Sequence, residues 1–469
     1  MAGYTKESSV NLLARFDALD NDTNSVIEIS DPDFENPVMI QSSEEEVLSN
    51  MSEQGQRINS FWMILAIVTN CVQGQFFALT QPAAQVGTLG TLLSTLVIGI
   101  VFTYTASLAV KYLRPNDNTL ADEIMIEIWP KIKWPLTILT RATSFLLYFC
   151  YLVQAYIYVY DGIATWGFKY NANNLPQASV KTLWISFVLM FLISFITNVR
   201  ISVLLCSWTA FIPLLSLTIT VYVVVTQSKS EDYECWRQSW GMPSGEFQNG
   251  IKSGINALFS FLGVLESCFF EHYSLGTQLA EAKTPKHNRR NVSIAFYINI
   301  ACYIFYCLIS TIPYGCYMTK GTANYPAPPS DFSVLFGQST FGIVIGVIYV
   351  CGTIVGAPYT FLICRMSSID LLPWRKYPQL KKYRRVVVYL FHLALCLLAV
   401  LCQSNNLSLQ LINEIGAAFS SLLFAAIVPI ILDVYMCHVN RKPYAWRVAI
   451  GAPVICCVGC LSVFQFISF

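Results

Sequence analysis

Charge is scarce in this sequence. Only 12% of its 469 residues are Asp, Glu, Lys or Arg and only four are His, while 55% are hydrophobic and the mean hydropathy is +0.51. Soluble domains carry about 25% charged residues, so that class is excluded and a polytopic membrane protein is expected. A net charge of +1 offers no basic excess for nucleic acid. No G-x-x-x-x-G-K-[ST] loop is present, so direct ATP coupling has no support; the chain is expected to be no enzyme and to need no cofactor or metal. The sixteen cysteines fall mostly in apolar runs, Cys456, Cys457 and Cys460 among them, where Cys behaves as a small hydrophobe. No cleavable signal is expected, because the first apolar run begins only near Phe61.

The charge that is present is unevenly placed. Residues 1–57 hold 12 of the 28 acids and three basic residues, so 1–56 reads as a disordered acidic tail, a candidate contact for a cytosolic partner. Residues 57–469 read as one transmembrane domain. Its spans are expected near 60–84, 88–110, 137–160, 181–199, 201–226, 255–280, 293–317, 336–364, 386–402, 408–434 and 446–467, with an amphipathic interfacial helix around NTLADEIMIEIWPKIKW. With the tail cytosolic, nineteen Lys and Arg fall in cytosolic loops against six opposite. That asymmetry sets the orientation and puts the C-terminus across the membrane. The surrounding partner is the lipid bilayer, of a plasma membrane or of a vacuolar, lysosomal or vesicular one.

The sixth span is the unusual one. INALFSFLGVLESCFFEHYSLGTQLA is long enough to cross a core of ~30 Å, yet it holds Glu266, Glu271 and His272 between Gly263 and Gly276. Ionisable groups at that depth are costly and mark functional cavities, and an interrupted helix lining a polar cavity accommodates them. Span one has a similar interruption, with Gln73, Gly74, Gln75, Thr80, Gln81 and Pro82. Breaks in spans one and six of ten are the pattern of inverted five-span repeats, with substrate held between them.

From Phe269 the pattern F-x-x-H, then Glu281, Pro285 and the basic cluster Lys286, Arg289 and Arg290, resembles the sixth span of the amino acid/auxin permease family. Glu271 stands where that family carries Cys. Asn70, Leu79, Gln85 and Gly87 in span one, Pro358 and Arg365 in span eight, and GAAFSSLLFAAIVP from Gly416 to Pro429 in span ten extend the resemblance over about 60–435. The resemblance implies an all-α polytopic membrane protein of LeuT-type fold (the APC superfamily), a 5+5 inverted repeat with an eleventh span, and alternating-access transport of an amino acid.

Two candidate constellations follow. Gln73, Gly74, Gln75 and Phe76 would turn N–H groups toward a substrate carboxylate, unless Gly74 serves only close helix packing; carbonyls of Cys268, Phe269, Phe270 and Glu271 would receive its ammonium. Burial favours the neutral form of a carboxylic acid, so Glu271, with His272 beside it and Glu266 facing a wetted outer vestibule, is the candidate for proton coupling. Its other reading is a structural pairing that fixes span six. The resemblance places a sodium site at Asn70, Thr353 and Gly356; the missing hydroxyl at Gly356 favours a proton over Na+ as coupling ion. Arg141, Asp161 and Asp433 read as snorkelling or interfacial, Asn413 and Glu414 as paired or cavity-lining, and Cys235 and Cys316 as a candidate disulfide. Two alternatives stay open: an amino-acid sensor with little flux, and a carrier of an auxin-like organic acid.

Overall fold

The described apolar runs are helical, because a backbone out of reach of water must satisfy its own hydrogen bonds. The computed structural model describes residues 57–72, 79–112, 129, 131, 133–163, 175–211, 214, 218, 250–319, 340–369, 378–404 and 421–467. The acidic tail, most of the expected interfacial helix, Gln73, Gly74, Gln75 and Phe76, the loop bearing Cys235, and Asn413 and Glu414 lie outside the described residues.

The helices are α1 (Ser60–Val72), α2 (Thr80–Val86), α3 (Thr88–Tyr112), α4 (Lys133–Gly162), α5 (Leu175–Ile193), α6 (Val199–Thr209), α7 (Ile251–Phe269), α8 (Leu275–Leu279), α9 (Asn288–Thr319), α10 (Thr340–Met366), α11 (Pro378–Ser404), α12 (Val428–Val439) and α13 (Ala445–Ile467). A π-helical turn, Ser421–Ile427, leads into α12. Local signals set several ends. Asn198 starts α6 by accepting from Ile201 N–H, and Asn59 Oδ1 accepts from Trp62 N–H at 3.1 Å at the start of α1. Hydroxyls within the apolar helices return to their own backbone, as in Thr95 to Thr91 O (2.8 Å), Thr103 to Gly99 O (2.6 Å) and Thr140 to Leu136 O (2.8 Å).

Among the described residues, five helices are long and apolar enough to cross a membrane: Thr88–Tyr112, Trp134–Tyr160, Tyr383–Cys402, Ser421–Val439 and Ala445–Ser462. Their outward faces are apolar. On α3, Leu89, Leu93, Val97 and Ile100 are each more than half exposed while Thr91, Thr95 and Phe102 are buried, the reverse of a soluble helix.

Packing carries an internal twofold relation. If α1 through α6 are set against α7 through α12, the contact of α1 with α9 is matched by α7 with α3, and that of α4 with α11 by α10 with α5. The pairs α3 with α9 and α4 with α10 map onto themselves, and both pack extensively. This is the packing an inverted repeat produces. At the α3–α9 contact a Cβ built on Gly99 would lie 2.3 Å from Ile300 Cγ1, so glycine is what lets these helices approach.

Span ends differ modestly from expectation. The third and seventh spans extend to Lys133–Gly162 and Asn288–Thr319, a turn or so beyond the apolar core, because polar ends continue a helix once water can receive them.

Candidate functional site

The sixth span is broken. α7 ends at Phe269, Phe270 is extended (φ −84°, ψ 102°), and helix resumes at Leu275. The break is therefore Phe270–Ser274, within the Gly263–Gly276 stretch where the sequence places it. Side chains and turns take up its carbonyls: Ser267 O accepts from Tyr151 Oη at 3.3 Å, and Glu271 O from Ser274 and Leu275 N–H at 3.1 and 3.2 Å. The Tyr303 hydroxyl on α9 is shared between Cys268 O at 3.4 Å and Cys71 O on α1. One phenol thus joins the C-terminal parts of α1 and α7. The carbonyls of Cys268 and Glu271, expected to await an ammonium group, have these donors within the protein.

Glu271 is 2% exposed, and its Oε2 accepts from Ser274 Oγ at 2.5 Å. The carboxylate lines a small, partly open polar cavity. Its other walls are Asn70 of α1, Tyr148, Tyr151, Gln154 and Ala155 of α4, and Thr353, Gly356, Ala357, Tyr359 and Thr360 of α10. Asn70 Nδ2 and Thr353 Oγ1 have no hydrogen-bond partner among the described residues. No Lys, Arg or His belongs to this described lining. Tyr359 Oη donates to Ser274 O at 3.2 Å and so holds the residue that holds Glu271.

The structure brings Glu271, Asn70, Thr353 and Gly356 together, although the sequence separates them by up to 286 positions. Other predicted residues lie elsewhere. Phe269 packs edge-on against Tyr303, and Phe270 meets Phe424 at a tilt. His272 turns from the cavity: its Nε2 is 2.8 Å from Thr105 Oγ1, and its ring meets Phe102 and Phe296 edge-on. Glu266 is fully buried within α7, which corrects the wetted vestibule expected for it; α7 turns that face into the bundle.

Arg141 and Asp433 are buried in the bundle rather than snorkelling toward solvent. Arg141 is 6% exposed, and its Nη1 donates to Tyr273 Oη at 3.2 Å; Tyr273 Oη lies 3.2 Å from Ser367 Oγ. That chain joins α4, the break and the residues after α10. Asp433, buried on α12, pairs with Lys111 Nζ of α3 at 3.1 Å and with Arg447 of α13, and accepts from Tyr112 Oη. Its charge is held by cations from neighbouring helices, which makes burial tolerable.

Sequence reasoning missed the α4 wall. Tyr148, Tyr151 and Gln154 recur every three residues with Tyr158 four further on, a one-sided polar stripe on a helix that reads as aromatic filler in an apolar run.

Two solved structures are similar to this chain in fold. The manganese transporter of Eremococcus coleocola, in complex with an aromatic bis-isothiourea substituted compound, is 13% identical, covers 95% of this chain and 90% of its own, and superposes with a TM-score of 0.52. MhsT in complex with L-phenylalanine is 10% identical, with 87% and 98% covered and a TM-score of 0.54. The chain has the LeuT-type fold. No family model and no curated protein matches its sequence. In the LeuT-type frame the cavity stands beside the broken sixth span, where this architecture holds ligands.

Proposed function

We propose that this integral membrane protein is a secondary active transporter of an amino acid, driven by a proton gradient through Glu271. The observation that carries the reading is the Glu271 carboxylate at the helix break, facing a cavity with Asn70, Thr353 and three tyrosines. A carboxylate enclosed there with no facing cation among the described lining is neutralised most simply by a proton. Its neutral form and its ionised form then suit different stages of a carrier cycle, which is the requirement for coupling.

The similar structures support transport and divide on cargo, one being a manganese transporter and the other bound to L-phenylalanine. A cavity of hydroxyls, amides and one carboxylate fits a small zwitterion. The resemblance of the sixth, eighth and tenth spans to the amino acid/auxin permease family favours the same cargo. In this reading His272 supports the break through Thr105, and the tail faces the cytosol.

The test is isotope uptake into proteoliposomes under an imposed pH gradient, with a panel of labelled amino acids. Accumulation above equilibrium that collapses with a protonophore is expected. Binding without accumulation would instead identify a sensor, and accumulation of indole-type acids alone would overturn the zwitterion assignment.

A further inference from the structure

A short parallel bridge ties the start of the first span to the exit of the sixth. Ile58 N–H donates to Glu281 O at 2.9 Å, and Ile58 O accepts from Lys283 N–H at 2.8 Å. Ser60 Oγ lies 3.2 Å from Thr284 Oγ1. Ile58 and Ala282 are both buried, so this anchor is part of the packed structure. The residues just after it are basic: Lys283, Lys286, Arg289 and Arg290 are exposed, and Glu281 is the single acid from 278 to 290. Arg289 Nε donates to Ser107 Oγ at 2.8 Å and fixes one edge of this patch to α3.

We infer that the acidic segment from Glu44 to Glu53 docks on the patch formed by Lys283, Lys286, Arg289 and Arg290. Glu44, Glu45, Glu46 and Glu53 are its charges, and it holds no Lys or Arg. Its tether decides the occupant. Ile58 is hydrogen-bonded to Lys283 itself, so even a fully extended chain leaves Glu53 within about 17 Å and Glu44 within about 50 Å of the patch. Four carboxylates so confined face four cations at an effective concentration on the order of millimolar, and a network of charges gains what one exposed pair does not. The dock adds a second tie across the join between α1 and α8 that Ile58 already makes.

The experiment uses the full chain in nanodiscs of zwitterionic lipid and reads acetylation of Lys283 and Lys286 by a water-soluble amine reagent, with peptide mass spectrometry. It needs no transport activity, so its outcome is independent of the proposed function. Replacing Glu44, Glu45, Glu46 and Glu53 with Gln leaves the transmembrane domain untouched. Docking predicts labelling about fivefold faster in that variant at low ionic strength, a gap that closes in high salt, and no change at Lys252. Equal rates in both proteins would overturn the inference. Protection that appears only with anionic lipid and ignores the tail's charge would assign the patch to lipid headgroups and overturn it as well.

Discussion

Glu271 and His272 are adjacent in the chain and face opposite ways. The Glu271 carboxylate opens on the cavity and accepts from Ser274 Oγ, whereas the His272 ring is held by Thr105 among Phe102, Phe270 and Phe296. The two residues stand where the chain leaves the break and enters a turn. The cavity thus receives one ionisable group of the pair.

His272 should therefore act through packing. His272→Gln keeps a polar group near Thr105 and loses the ring contacts, at a cost of about 1–2 kcal/mol. Thermal unfolding of the purified protein should show the loss, while the pH profile of uptake keeps its shape. A displaced profile would return His272 to the proton path.

Tyr303→Phe removes the hydroxyl shared by Cys71 O and Cys268 O. Two buried carbonyls lose a donor, which costs about 1–2 kcal/mol. A lowered melting midpoint is expected, together with weaker substrate binding as the ends of α1 and α7 separate. An unchanged midpoint would mean that water or backbone takes the place of the phenol.

Gly99→Ala forces a methyl to within 2.3 Å of Ile300 Cγ1 and should destabilise by about 1–3 kcal/mol. Adding Ile300→Ala should restore much of that, since the two side chains compete for one space. Additive losses in the double variant would contradict the close approach of α3 and α9.

Sequence disclosed the broken sixth span because burying Glu266, Glu271 and His272 in one apolar run has few physical solutions. What it hid was non-local. Asp433 read as interfacial because Lys111, its partner, lies 322 positions away, and nothing in the sequence pairs Ile58 with Ala282. The repeat itself was signalled by the paired breaks in spans one and six, but which helices touch across it was not. Tyr148, Tyr151 and Gln154 were readable by spacing, yet aromatic residues suit a span whether or not they line a cavity.

Asp433→Asn should leave Arg447 and Lys111 without their counter-charge. Lys111 is more than a third exposed and contributes little, so the cost falls mainly on Arg447, for about 2–3 kcal/mol. The expected readout is a lowered melting midpoint with substrate affinity unchanged, because no member of the cluster belongs to the cavity lining. Loss of affinity at full stability would contradict a purely structural role.

Glu271→Gln tests the coupling claim most directly. The amide mimics the protonated carboxyl, so substrate still binds, but no proton leaves to let the empty carrier reset. Paired assays on the purified variant in proteoliposomes should give uptake driven by a pH gradient reduced by about tenfold or more, with counterflow of internal for external substrate retained. Accumulation at the wild-type level under the same gradient would contradict the account and place the coupled proton on another residue.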